Sequence, residues 1–102
     1  ILIRDFQNKR ISHAPIASSR LAGALRGHIS AIDFDNDWIE LAYEPDEFFF
    51  QAEQIIQGGA TATMLDSAMA FAALAVVPDG QSVTTVNLNI AYLRAAKAGN
   101  LR

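Results

Sequence analysis

Two runs of alternating apolar and polar residues stand in the first half of the chain. The first, LAGALRGHISAIDF, spans residues 21–34, and the second, WIELAYEP, spans residues 38–45. Between them, residues 35–37 read Asp-Asn-Asp, a polar cluster typical of a tight turn. Alternation on both sides of such a turn predicts an antiparallel β-hairpin.

A long helix-forming stretch follows, QGGATATMLDSAMAFAALAVV at residues 57–77. Its Ala, Met and Leu content predicts a helix that begins near Gly59 and Ala60. Pro78-Asp79-Gly80 predicts the end of that helix, because Pro interrupts the backbone hydrogen bonds and Gly favours a turn. The stretch is apolar on nearly every helical face, which predicts a buried helix.

A third alternating run, SVTTVNLNIAYLRAA at residues 82–96, predicts a third strand. The sequence at residues 98–100 predicts a turn, and Leu101-Arg102 the first step of another strand. Between hairpin and helix, PDEFFFQAEQ at residues 45–54 predicts a short helix or an ordered loop. Its three adjacent Phe residues are too apolar for open solvent, so we expect them to pack on the core or line a pocket.

The predicted order is strand, strand, long helix, strand and the beginning of a strand. This order predicts an α+β fold in which a curved antiparallel sheet wraps round one long central helix. Three full strands are too few to cover a helix that is apolar all round, so we expect the last strands to be missing from these residues. Residues 21–102 are predicted to form this domain, incomplete at its C-terminal end, and residues 1–20 a peripheral N-terminal segment.

Composition narrows the class of protein. Charged residues make up only 19% of the chain and hydrophobic residues 51%, which favours burial of apolar surface by a second subunit. A net charge of −3 and the lack of a basic run argue against a nucleic-acid partner. The absence of Cys excludes thiolate metal sites and a cysteine nucleophile, and the two His residues lack metal-ligand spacing. Neither a signal peptide nor a membrane span is indicated, which predicts a cytoplasmic protein.

Asp66 is the candidate for chemistry, because no other residue between Glu53 and Asp79 carries a formal charge. Burying an unpaired carboxylate in an apolar helix is costly in free energy. Asp66 is therefore either a structural acid, bonded to a backbone amide or to a hydroxyl such as that of Thr63 or Ser67, or a catalytic one.

Taken together, these residues resemble the hot-dog fold, and in particular the PaaI-like acyl-CoA thioesterase family of the 4-hydroxybenzoyl-CoA thioesterase superfamily. The hairpin runs match the family's first two strands, and QGGATATMLDSAMAFAA matches its His-Gly-Gly loop, helix and catalytic acid. TTVNLNIAYLRAAKAGN matches the strand that the family writes as Thr-Val-x-Leu-x-Ile-x-Tyr-Leu-Arg-Pro-Ala-x-x-Gly. The resemblance covers roughly residues 21–102.

The chain departs from the family pattern at three residues and in its extent. Gln57 stands where the family has its loop histidine, Gln51 falls on the family's upstream Asn, and Ala95 replaces the Pro after the strand. The family also continues for about two more strands.

The resemblance implies an acyl-CoA thioesterase that needs no metal or other cofactor. Asp66 would be the nucleophile or the general base, and the amides of Gly58 and Gly59 at the helix N-terminus would bind the oxyanion. Three further side chains would contact the thioester, a water or the acid, namely Gln51, Gln57 and Thr85. Phe50 would line the acyl pocket.

The helix geometry gives a separate reason to expect a dimer. Asp66 follows Gly59 by about 10 Å of helix rise, so one chain does not readily place both groups beside one thioester. Antiparallel helices in a homodimer would bring Asp66 of one subunit to Gly58 of the other, as the family does. Dimers could pair further into a homotetramer.

Two other functions compete with hydrolysis. A non-catalytic hot-dog module would bind acyl-CoA without turning it over, and Gln57 and the missing strands favour that alternative. A hot-dog dehydratase acting on a β-hydroxyacyl thioester would need a His with the acid, and the helix and its loop contain none.

Overall fold

The computed structural model describes residues 14–15, 20–78 and 80–102 of the chain. The elements are strand β1 (Ala14–Pro15), helix α1 (Arg20–Ala24), strands β2 (His28–Asp33), β3 (Trp38–Ala42), β4 (Phe50–Ala52) and β5 (Ile55–Ile56), and the long helix α2 (Gly58–Leu74). A single 3-10 turn, Glu47–Phe49, precedes β4.

Strands β2 and β3 form the predicted antiparallel hairpin, with Asp33 opposite Trp38 and His28 opposite Ala42. The turn is held by the Asp33 carboxylate, which accepts hydrogen bonds from the amides of Asp35 and Asn36 and from the Asn36 side chain. The Asn36 side-chain bond is the main reason why the pKa of Asp33 is lowered.

The first predicted strand is wrong at its beginning, because residues 20–24 form helix α1 rather than extended chain. The Leu and Ala residues of RLAGA favour a helix, and Ala22 of this helix and Leu25 directly after it reach the core. Inside the segment predicted to be peripheral, β1 pairs with β2, so the sheet order is β1-β2-β3. Apart from β1 and Arg20, that segment lies outside the described residues, and its peripheral position stays a prediction.

Residues 45–57 contain the 3-10 turn and a small hairpin of β4 and β5. The Asp46 carboxylate caps the turn by accepting from the Phe48 amide at 3.0 Å. Phe49 and Phe50 pack against the core, whereas Phe48 is 84% exposed. The expectation that all three Phe residues are buried or line a pocket is therefore wrong for Phe48.

Helix α2 confirms the predicted long helix, but a single chain does not bury it on all faces. Its buried residues, Ala60, Met64 and Phe71, follow one stripe that faces the sheet. Leu65 and Met69 are 45% and 50% exposed. The prediction of burial all round is wrong for the described part of one chain, because three strands cover one side of the helix only.

The predicted third strand at residues 82–96 does not form within the described residues, although its alternating pattern is strong. A strand needs a neighbour for its hydrogen bonds, and among the described residues this segment has a backbone partner only at its end, where the Ala96 carbonyl accepts from the Ile56 amide at 2.8 Å and Lys97 bridges to Ile55. Val86 and Leu93 are each 95% exposed. Leu101 does begin a new pairing, because its amide and carbonyl bond Tyr43 at 2.7 and 2.8 Å.

The core lies between the sheet and the buried stripe of α2. Its buried members are Ala22, Leu25, Ile29, Leu41, Tyr43, Ile56, Ala60, Met64 and Phe71.

Gly27 allows the Tyr43 ring to pack against the loop after α1, so Gly27→Ala is expected to destabilise the protein. A Cβ at this position would lie 2.6 Å from Cε1 of Tyr43. Overpacking of this kind lowers the free energy of unfolding by about 1–3 kcal/mol. Gly23→Ala is the matched control, because nothing lies within 4 Å of its added Cβ and Ala favours helix α1. Urea unfolding of both variants measures the difference, and equal stabilities would contradict the packing argument.

Candidate active site

Asp66 lies in the middle of α2 and bonds a residue from the C-terminal segment. The Thr85 hydroxyl donates to Oδ1 of Asp66 at 2.5 Å, across 19 residues of sequence. Asp66 is half-buried, and its Oδ2 accepts no hydrogen bond from the residues that the structure describes. The structural alternatives through Thr63 and Ser67 are not used, because Thr63 donates to the Gly59 carbonyl instead. The carboxylate is thus held by one oxygen while the other stays available.

A groove of about 180 Å³ opens beside Asp66. The helix contributes Met69, Ala70 and Ala73 to its wall, and the segment around Thr85 forms the opposite side. The groove is mainly apolar on the helix side, which suits the hydrocarbon part of a ligand.

The N-terminus of α2 carries backbone amides without partners. Gln57 is the N-cap residue, yet its side chain makes no capping bond. Among the described residues, no acceptor faces the amides of Gly58 and Gly59. Free amides and the helix dipole together favour a negative charge at this position.

A second groove, of about 470 Å³, lies at this helix terminus. Gln51 from β4 and Gly58 line it, together with Tyr92 and Arg94 from the C-terminal segment. The Tyr92 hydroxyl donates to the Gly58 carbonyl at 2.7 Å. The Gln57 side chain is exposed, while its backbone amide donates to Phe49 at 2.7 Å.

The structure therefore brings the predicted site residues together in two groups rather than one. Asp66 and Thr85 share the first groove, and Gln51 and Gly58 share the second. Asp66 follows Gly58 by eight positions, about 12 Å of helix rise, within the chain. The two groups do not meet at one thioester inside a single chain.

Phe50, predicted to line an acyl pocket, packs against the hydrophobic core and lines neither groove. Gly59 stands at the helix N-terminus with open space around it, since nothing lies within 4 Å of where its Cβ would be.

Tyr92 and Arg94 were not predicted as site residues. Both belong to the Tyr-Leu-Arg run that matches the family's strand. The polar end of a Tyr generally finds a hydrogen-bond partner, but the sequence does not indicate which one.

Tyr43 places a polar group in the core. Its hydroxyl is buried and makes no hydrogen bond with the described residues. Burial raises the pKa of Tyr43, and the nearby Ser67 hydroxyl opposes that shift without reaching hydrogen-bond geometry.

The described residues offer neither a metal-binding cluster nor a membrane-spanning helix. They contain no group of three or more His, Cys, Asp or Glu side chains that could hold a metal ion. None of their helices has the length and hydropathy needed to cross a membrane.

Comparison with known proteins identifies the class to which this fold and site belong. Residues 53–102, which include Gly58, Asp66, Thr85 and Tyr92, match the sequence profile of the Thioesterase superfamily. No curated protein sequence matches the chain.

A crystal structure at 2.20 Å resolution superposes on the whole fold. It is of a protein from Ralstonia eutropha JMP134, described as a candidate thioesterase and phenylacetic acid degradation-related protein. The TM-score is 0.78 at 31% sequence identity, and the match covers 98% of this chain and 72% of that chain. The chain belongs to the thioesterase superfamily and has the hot-dog fold of PaaI-like thioesterases, as its sequence motifs implied. Thioester hydrolysis is the general chemistry that this membership supports.

Proposed function

We propose that the protein hydrolyses an acyl-CoA to the free acid and CoA, with Asp66 as the reacting carboxylate. The observation that carries this proposal is the Thr85 bond to Oδ1, which fixes the carboxylate and leaves Oδ2 free. A single carboxylate oriented in this way suits either nucleophilic or general-base catalysis.

The general-base mechanism and the nucleophilic mechanism both need water as the only other reactant. As a base, Oδ2 takes a proton from a water whose oxygen bonds the thioester carbon, and the proton then passes to the departing CoA sulfur as the C–S bond breaks. As a nucleophile, Oδ2 itself bonds that carbon and displaces the thiolate, which takes a proton from solvent. Water then cleaves the acyl-aspartyl anhydride to the acid and Asp66.

The amides of Gly58 and Gly59 bind the oxyanion in this proposal. Attack on a thioester places a negative charge on the carbonyl oxygen, and these amides are the free donors at a positive helix terminus. Gln51 lies in the same groove and contacts the substrate there. Gln57 stands at the cap, where its amide group orients the thioester or a water but does not transfer a proton.

A homodimer with antiparallel helices completes the site, because it brings Asp66 of one subunit to Gly58 of the other. The exposed apolar side chains of Leu65 and Met69 lie on the helix beside Asp66 and support a second subunit there.

A panel of acyl-CoAs, from acetyl to long-chain and arylacetyl thioesters, tests the proposal when free thiol is detected with a chromogenic reagent. The chain contains no Cys, so the protein adds no thiol to the signal. Turnover of at least one thioester by the wild type is expected. Binding of acyl-CoA by calorimetry with no turnover across the panel would instead establish the non-catalytic binding module, which the Gln at position 57 favours.

Thr85→Val is expected to lower kcat about tenfold with little change in KM. Val keeps the size of Thr but removes the hydroxyl that orients the Asp66 carboxylate, and hydrogen bonds to charged groups are worth about 1.5–3 kcal/mol. Steady-state kinetics on the best substrate measures the effect. Thr85→Ser keeps the hydroxyl and should restore most of kcat, and equal loss in both variants would contradict the role of the hydroxyl.

A further inference from the structure

Tyr92 holds the N-terminal turn of α2 from outside the helix. Its hydroxyl donates to the Gly58 carbonyl at 2.7 Å, across 34 residues of sequence. Its ring atoms lie 3.5–3.7 Å from the position that a Cβ of Gly58 would take. The other side-chain bonds to carbonyls of this turn come from Thr61 and Thr63 of the helix itself.

The acceptor of this bond belongs to the same peptide unit as a candidate oxyanion donor. The carbonyl of Gly58 and the amide N–H of Gly59 share one planar group and point in opposite directions. A hydrogen bond to the carbonyl therefore fixes the direction of the Gly59 amide. It also polarises the peptide, which makes that N–H a stronger donor.

Apart from the backbone hydrogen bonds of the helix itself, few contacts fix this peptide among the described residues. Gly58 and Gly59 have the widest backbone freedom of any residues, and ordering them costs more conformational entropy than ordering other residues. No side chain caps the helix at Gln57, and open space surrounds Gly59. Among the described residues, the Tyr92 hydroxyl is the side-chain group from outside the helix that bonds a carbonyl of this turn.

We infer that Tyr92 is a positioning residue for thioester hydrolysis, acting through the Gly58–Gly59 peptide to aim the Gly59 amide at the oxyanion. This inference rests on the proposed function, because it assigns the Gly59 amide to the reaction. Tyr92 itself does not need to touch the substrate.

Tyr92→Phe tests the inference, because Phe keeps the ring against Gly58 and removes only the hydroxyl. We expect kcat to fall about fivefold with KM within twofold of wild type, since one neutral hydrogen bond that acts in the transition state is lost. Tyr43→Phe makes the same chemical change at the other tyrosine of the chain, whose hydroxyl is buried away from α2's first turn and meets no acceptor or donor in hydrogen-bond geometry among the described residues, and should leave kcat unchanged.

A second readout follows the peptide itself. Labelling with 15N-glycine gives a spectrum of six amide resonances at most, and Gly59→Ala identifies the one from Gly59. In Tyr92→Phe the Gly59 resonance should move, while those of Gly23 and Gly27 stay in place. A merely structural loss would lower the melting temperature and shift several resonances.

The outcomes separate this inference from the proposed function. A wild type that hydrolyses no thioester would overturn the proposed function and with it the catalytic meaning of the Tyr92 bond. An active wild type whose kcat or Gly59 resonance is unchanged by Tyr92→Phe would overturn the positioning role alone.

Discussion

Asp66→Asn is expected to lower kcat for acyl-CoA hydrolysis by about 10²–10⁴-fold, the range by which a positioned acid or base accelerates a reaction. Asn has the size of Asp and can still accept the Thr85 hydrogen bond at Oδ1. It has an N–H₂ group where Oδ2 stands, so it neither takes a proton from water nor attacks a carbonyl. Stopped assays with the best thioester of the panel give the ratio of the two kcat values.

A structural role for Asp66 predicts a different pattern. If Asp66 only stabilised the fold, its replacement would lower the free energy of unfolding of the protein. The turnover rate per folded molecule would stay the same. Asp66→Ala, which also removes the Thr85 contact, distinguishes the two cases when thermal unfolding and kcat are measured on the same samples. Activity within twofold of wild type in both variants would refute the catalytic assignment.

The parts of the fold that could be predicted from the sequence are those held by local interactions. The β2–β3 turn depends on the side chains of Asp33 and Asn36, and α2 depends on a continuous run of helix-forming residues. Residues 82–96 had an equally clear pattern, but a strand depends on a partner elsewhere, and the described residues offer one only at Ala96. Periodicity indicates how a strand would face, and only the rest of the sheet decides whether it forms.

The candidate site shows the same limit. The apolar neighbours of Asp66 make it stand out in the sequence. Its contact with Thr85 spans 19 residues and was expected only through the family resemblance. The Tyr92 contact with Gly58 had no sequence signal of its own, because any exposed Tyr on a strand has the same pattern. The sequence also placed Phe50 near the substrate, while the structure packs it on the core.

The second large loss of kcat is expected from removing a single backbone amide, that of Gly58, which lies far from Asp66 within one chain. Gly58 is the first residue of α2, where Pro is well tolerated, and Gln57 before it has ψ 136°, which suits a residue that precedes Pro. Gly58→Pro therefore removes the N–H with little disturbance of the helix. We expect kcat to fall about 10²–10³-fold, as for other oxyanion donors.

Gly58→Ala is the matched control for that variant. It keeps the amide and adds a Cβ at an ordinary contact distance of 3.5 Å from the Tyr92 ring. Its kcat should stay within a fewfold of wild type. Equal loss in Gly58→Ala and Gly58→Pro would show that crowding against Tyr92, rather than the missing amide, is responsible.

Mixing two inactive variants, Asp66→Ala and Gly58→Pro, then shows whether one site uses residues of two subunits. In a two-fold dimer with shared sites, each mixed dimer has one site with both changes and one site with neither. Random subunit exchange makes about half of the dimers mixed, so about one quarter of wild-type activity should return. Native mass spectrometry confirms the exchange. Mixed dimers without recovered activity would mean that Asp66 and the Gly58 amide act within one chain, which the helix rise between them makes difficult. Recovery would establish that the unpaired amides of one subunit serve the carboxylate of the other.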